Sequence, residues 1–190
     1  MSIRPRDTDL ISVPVSTLHA MRDVLLRQKG SVEAAGLLRD IGLASGDAFY
    51  ELLRSSADPG AGIGQPLEDL SIDEFWARLS GLFTDLGWGR LEHSQIADGV
   101  FALTAYDWAE GGTDNGTTSY FTAGLLAAIL HRIAGESLAV LEVGLVEGSP
   151  GASRFILGSP ETLQAVFLHM QDGAGYEHAV ATVSASPSAG

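Results

Sequence analysis

The side chains able to do chemistry are thinly spread along this sequence. Its five histidines, His19, His93, His131, His169 and His178, include no His-Glu-x-x-His frame and no i, i+4 pair, so no helix offers two imidazoles to one metal ion. Each is expected to serve the surface or the core. Asp107, Glu110 and Asp114 crowd one loop, but the alternating oxygen ligands and closing glutamate of a calcium loop are missing, and a solvated acidic loop is the expectation. No serine stands in a Gly-x-Ser-x-Gly elbow, so serine hydrolase chemistry has no support. Glu142 and Glu147 are close in sequence, yet an odd separation along a strand puts them on opposite faces. The run Gly60-Ala61-Gly62-Ile63-Gly64 lacks the Gly-Lys-Ser/Thr and the flanking strand and helix of a phosphate loop and reads as a flexible turn. With no cysteine in the chain, disulfides, thiolate zinc sites, iron–sulfur clusters and cysteine nucleophiles are excluded together.

What does concentrate is aromatic material: Phe83, Trp88, Phe101, Tyr106, Trp108, Tyr120, Phe121 and Phe155 fall within one stretch. Such rings can simply fill a core, since aromatic side chains dominate cores generally. They can also line a cavity for an apolar small molecule, anchored by a few polar groups. On that second reading the expected ligand-binding residues are Trp88, Phe101, Tyr106, Tyr120, Phe121, Leu125 and Phe155, with the hydroxyl of Tyr106 or Tyr120 orienting the guest. No catalytic residue, metal ligand or cofactor is expected.

The charge balance narrows the partners. Against 11 basic residues stand 24 acidic ones, a net charge of −13, and that field repels nucleic acid and anionic membrane surfaces. A phosphate-rich ligand is disfavoured for the same reason. No apolar segment follows the charges of residues 1–7, so no secretory signal is read and a cytoplasmic location is expected. The longest apolar stretch, 120–130, falls short of the ~20 residues needed to span a bilayer.

The elements that must position these residues are legible in outline. Apolar residues at helical spacing predict helices over 16–28 and 31–41, the second with a continuation over 48–53 after the interruptions at Gly42 and Gly46. Ser71-Ile72-Asp73-Glu74 is a capping box that starts a third helix, apolar on one face through Phe75, Leu79, Leu82, Phe83 and Leu86. Two alternating segments, 89–96 and 100–106, are joined at Asp98-Gly99, a strong hairpin signal. A helix over 117–134 follows; its Ala123, Gly124, Ala127 and Ala128 allow a neighbouring backbone to come close, which makes it central. Strands over 138–146 and 153–157 come next, and Ser159-Pro160-Glu161 opens a last helix. Strands arriving as adjacent hairpins argue for α+β, with helices on an antiparallel meander. Residues 1–66 are expected to hold N-terminal helices and a linker, 67–182 a ligand-binding domain, and 183–190 a disordered tail. The first two helices carry more apolar surface than a half-chain core needs, so a homodimer built through them is expected.

The block 71–168 resembles the 4-vinyl-reductase-type domain, the hydrocarbon-binding family that shares a fold with the NO-signalling and Golgi-transport (TRAPP-like) ligand-binding proteins. The likeness rests on an ordered set: FTDLGWG over 83–89, then YFTAGLLA over 120–127, then Val140-Leu141-Glu142-Val143, and GSPGASRF over 148–155 running into Ile156-Leu157. It implies a TRAPP-like fold whose N-terminal elements dimerise. Members that sense aromatic compounds hold a structural zinc with one glutamate and three cysteines. Glu142 matches that glutamate, while the cysteine positions fall at Ser119, Leu145 and Ser153, so the zinc site is expected to be absent. Other relatives bind haem or tetrapyrroles, and no axial ligand is marked here; His131 is expected to be exposed. With no dinucleotide fingerprint, reduction would need an external electron donor. The reading is therefore a non-enzymatic sensor or carrier of a hydrophobic, aromatic or acyl small molecule. An accessory protein of tetrapyrrole or aromatic metabolism and a ligand-free interaction scaffold stand as alternatives.

Overall fold

A computed structural model describes residues 13–56, 66–111, 119–145 and 152–185. Helix α1 spans Val15–Lys29 and α2 spans Ser31–Ser55. A single 3₁₀ turn at Leu67–Asp69 leads into α3, Ile72–Asp85. The hairpin β1, Arg90–Ala97, and β2, Val100–Tyr106, precedes α4, Tyr120–Ala134. After it come β3, Ala139–Leu145, β4, Ser153–Gly158, and the helices α5, Pro160–Gln171, and α6, Tyr176–Ala185. The class is α+β, and no helix among the described residues is long and apolar enough to cross a membrane.

Several boundaries follow from the local chemistry. The Ser71 hydroxyl accepts the Glu74 N–H while a Glu74 carboxylate oxygen accepts the Ser71 N–H, so both halves of the capping box form. Gly99 closes the first hairpin with φ +66°, a conformation a side chain resists. Ser159 caps α5 with proline in the first turn. Helix α6 reaches Ala185, three residues into the stretch expected to be a tail, because Val183 packs on the apolar cluster beneath it.

The four strands are all antiparallel in the order β1-β2-β4-β3. A simple meander would set β3 beside β2. Here β4 pairs with both, Leu103 opposite Phe155 on one side and Leu141 opposite Ile156 on the other, which leaves β3 as an edge. Each face of the sheet has its own core. On one lie residues of α2, α3 and α4, among them Leu53, Leu79, Phe83, Leu125 and Ile129. On the other, α5 and α6 bring Leu163, Val166, Ala179 and Val180 onto Val100 and Ile156.

Helix α2 departs from the expectation: it runs unbroken through Gly42 and Gly46. Glycine lowers helix propensity, but tertiary contact overrides that here. A Cβ at Gly42 would overlap the Phe121 carbonyl, and one at Gly46 would overlap the Cβ of Ala128. Reciprocally, a Cβ at Gly124 of α4 would overlap the Arg39 carbonyl. The small-residue stripe of α4 thus meets α2 at backbone distance, and the two helices interlock. Helix α1 is different. It buries none of its residues, and it is tied down through the His19 ring, whose Nε2 donates to the Ala109 carbonyl at 2.9 Å, and Arg22, which donates to the Glu110 carbonyl at 3.1 Å.

Candidate functional site

The N-terminus of α4 leaves backbone N–H groups without helical partners, as every helix start does. The N-cap residue, Ser119, makes no side-chain cap bond. Glu110 supplies one from the preceding segment: its two carboxylate oxygens accept the N–H groups of Phe121 at 2.8 Å and Thr122 at 2.7 Å, and the Thr122 hydroxyl at 2.6 Å. The same hydroxyl accepts the Trp108 indole N–H at 2.8 Å. Glu110 is only 7% exposed, which corrects the expectation of a solvated acidic loop at this position. Asp107 is exposed, and Asp114 lies outside the described residues. Burial pushes the Glu110 carboxyl above the ordinary range; the hydrogen bonds from Thr122 and Phe121 oppose this, and the charge of Glu142 adds to it.

Glu142 of β3 is buried beside this helix end and accepts the Ser119 N–H at 2.8 Å. Ser119 is fully buried, and its hydroxyl has no hydrogen-bond partner among the described residues. Ser153, also buried, pairs with Leu145 across β3 and β4. The positions that the resemblance assigns to zinc ligands are therefore brought near one another, but they offer one carboxylate, two hydroxyls and a leucine. That donor set does not fit a structural zinc, which takes thiolates and imidazoles. Glu142 serves the helix end instead.

Beside this polar corner, α2, α4, β3 and α5 enclose a groove of about 500 Å³. Its walls are mostly apolar: Ala35 and Gly36 from α2, Tyr120 and Ala123 from α4, Val140 and Val143 from β3, and Phe167 and Met170 from α5. Ser119 and Glu142 lie at one part of the lining, and among the described residues Arg39 is the one cation in it. Arg39 also lines an adjoining depression that extends along Ala139–Leu141 to Leu163 and Gln164. Four consecutive residues of β3 contribute because the groove lies along the free edge of the sheet, between helices on its opposite faces.

The seven residues expected to bind ligand separate in space. Tyr120 lines the groove. Trp88 and Phe121 meet each other at 5.6 Å between ring centroids, and Trp88 also meets Phe83, Trp108 and Phe49, each at 6.1 Å. Leu125 and Phe155 are fully buried in the core around these rings. Phe101 is half-buried on β2 and packs on the same core. Tyr106 is half-buried near the end of that strand, with the Arg90 guanidinium 4.3 Å over its ring. Among the groove residues, Arg39 and the α5 side chains Phe167 and Met170 were not singled out from the sequence. No local signal marks them, because a gap at a sheet edge depends on strand order. His131 is exposed, as expected, and its Nδ1 donates to the Glu136 carbonyl.

No family model matches the chain, and no curated protein matches it. Solved structures do. The phenol-responsive sensory domain of the transcription activator PoxR, solved with phenol, superposes with a TM-score of 0.61 at 18% identity, over 85% of this chain and 82% of that one. A vinyl-4-reductase family protein from Methanocaldococcus jannaschii gives 0.48 at 16% identity, over 82% and 88%. A chain from work on H-NOX activation gives 0.44 at 17%, over 78% and 73%. The first likeness fixes the fold: this chain shares its α+β architecture with the PoxR sensory domain.

Proposed function

We propose that this chain is a non-enzymatic binding module, a sensor or carrier, for a hydrophobic small molecule held in the groove between α2, α4, β3 and α5. The carrying observation is the groove itself: about 500 Å³ of mostly apolar lining beside a buried polar corner. That is the usual composition of a small-molecule site, with apolar walls for affinity and a few polar groups for orientation. The shared architecture with a domain that responds to phenol supports the reading. The rings of Trp88 and Phe121 meet on the core that α4, the helix forming one wall, helps to build. The neutral dye Nile red is expected to bind with a rise in fluorescence, and Ala35→Phe to abolish that rise while far-UV circular dichroism stays unchanged. Equal fluorescence from the native protein and the variant would overturn the assignment of the site.

The same reading includes a homodimer, the expectation raised by the N-terminal helices. Met21 (60% exposed), Val32 (87%) and Ile41 (49%) leave α1 and α2 with apolar side chains facing outward. Isologous pairing is the commonest way to cover such a face. Light scattering at micromolar concentration is expected to give twice the mass of one chain, and a mass equal to one chain would remove the dimer.

A further inference from the structure

We infer that the ligand of this groove is a carboxylic acid with an apolar body, its acid group held by Arg39. The inference rests on the groove being a ligand site, and it names the class of ligand. In a chain with 24 acidic and 11 basic residues, cations find carboxylates or carbonyls easily. Arg54 and Arg90 pair with Glu51 and Glu92, Arg132 with Asp47, and Arg22 and Arg78 donate to the carbonyls of Glu110 and Arg54. Arg154 reaches the Tyr176 hydroxyl. Lys29 pairs with Glu33, whereas the exposed Arg27 and Arg39 have no hydrogen bond or ion pair among the described residues; of these two, Arg39 lines both the groove and its extension. An unpaired guanidinium at the edge of an apolar groove is complementary to one chemistry above others, a carboxylate it can grip with two N–H groups.

The rest of the lining sets the direction of the guest. Glu142 repels an acid group from its own part of the groove, so the carboxylate lies at Arg39. The body then runs over Ala35, Ala123, Val140 and Phe167, which offer methyl groups and one ring but no further charge. Ser119 brings a buried hydroxyl without a partner to the same lining. Such a group is a standing cost that a hydroxyl on the far end of the guest would relieve. Amphipathic acids, aromatic or acyl, meet the first two conditions, and those with a hydroxyl at the far end meet the third, whereas a neutral hydrocarbon leaves Arg39 unused and a base would meet it with like charge.

The test compares 4-phenylbutyrate with 4-phenylbutanol by titration calorimetry on the full chain. The acid is expected to bind about fivefold more tightly than the alcohol, the scale of a partly exposed ion pair. Arg39→Met keeps the apolar stem and removes the charge; it should bring the acid down to the affinity of the alcohol and leave the alcohol unchanged. Arg39→Lys should keep part of the preference. Equal binding of acid and alcohol to the native protein, or an acid affinity untouched by Arg39→Met, would overturn the inference while the groove reading stands, provided Ala35→Phe still blocks both. Failure of both compounds and of Nile red to bind would overturn the inference and the groove reading together.

Discussion

Two substitutions of the same kind should give opposite results. Gly124→Ala is expected to destabilise the protein by about 3 kcal/mol or more, while Gly81→Ala, also in a helix, stabilises it by about 0.5–1 kcal/mol. At Gly81 a Cβ meets nothing within 4 Å, so alanine gains the helix propensity that glycine lacks. At Gly124 the new methyl would overlap the Arg39 carbonyl, a backbone atom that no rotamer change can move. Relief would require α2 and α4 to separate along their whole crossing, opening contacts that include Gly42 with Phe121 and Gly46 with Ala128. Chemical denaturation of both variants against the native protein measures the contrast. Two stabilities shifted in the same direction would show that the interlock is looser than the packing requires.

Glu110→Ala should cost about 3 kcal/mol, because it strips three hydrogen bonds at once from the buried start of the central helix. The Trp108 indole would lose its anchor as well, since the Thr122 hydroxyl that it donates to would be free to turn. The pH dependence has a definite sign. Burial raises the native carboxyl above its unfolded value, so the native state binds this proton more tightly than the unfolded chain does. The stabilisation is fully present below the unfolded pKa and is lost as pH rises from the ordinary carboxylate range through the raised native value. Glu110→Gln has no proton to exchange. The denaturation midpoint of the native protein should therefore fall, relative to that of Glu110→Gln, as pH rises through this window. A relative midpoint that climbs with pH would mean that the helix end holds the carboxylate ionised.

Residues that act on their near neighbours in sequence were the ones that sequence reading placed well. Ser71 and Glu74 are three apart and cap α3; Asp98-Gly99 turns the first hairpin; Ser159 and Pro160 open α5. The alanine and glycine stripe of α4 also announced a close helix contact. Its partner was hidden, because Gly42 and Gly46 read as breaks when seen on their own strand of sequence and as a docking surface only when α4 lies against them. Glu110 eludes sequence reading for a similar reason: it accepts the N–H groups of Phe121 and Thr122, 11 and 12 positions later, far outside any local capping pattern. The groove needs more still. It exists because β4 takes the position between β2 and β3, which leaves β3 at the edge with α4 on one face and α5 on the other.

The interlocked glycines also decide which way the groove can yield. Its α2 and α4 wall is one rigid jaw, since neither helix can slide or roll past the other without driving a backbone into a backbone. The opposing jaw is α5, which buries only Leu163 and Val166 and carries Phe167 and Leu168 largely exposed. A guest wider than the resting gap would be admitted by the softer side alone. On the proposed reading, compliance is thus one-sided, and a motion set off by occupancy would pass through α5 to α6, the helix that packs with it over the far face of the sheet.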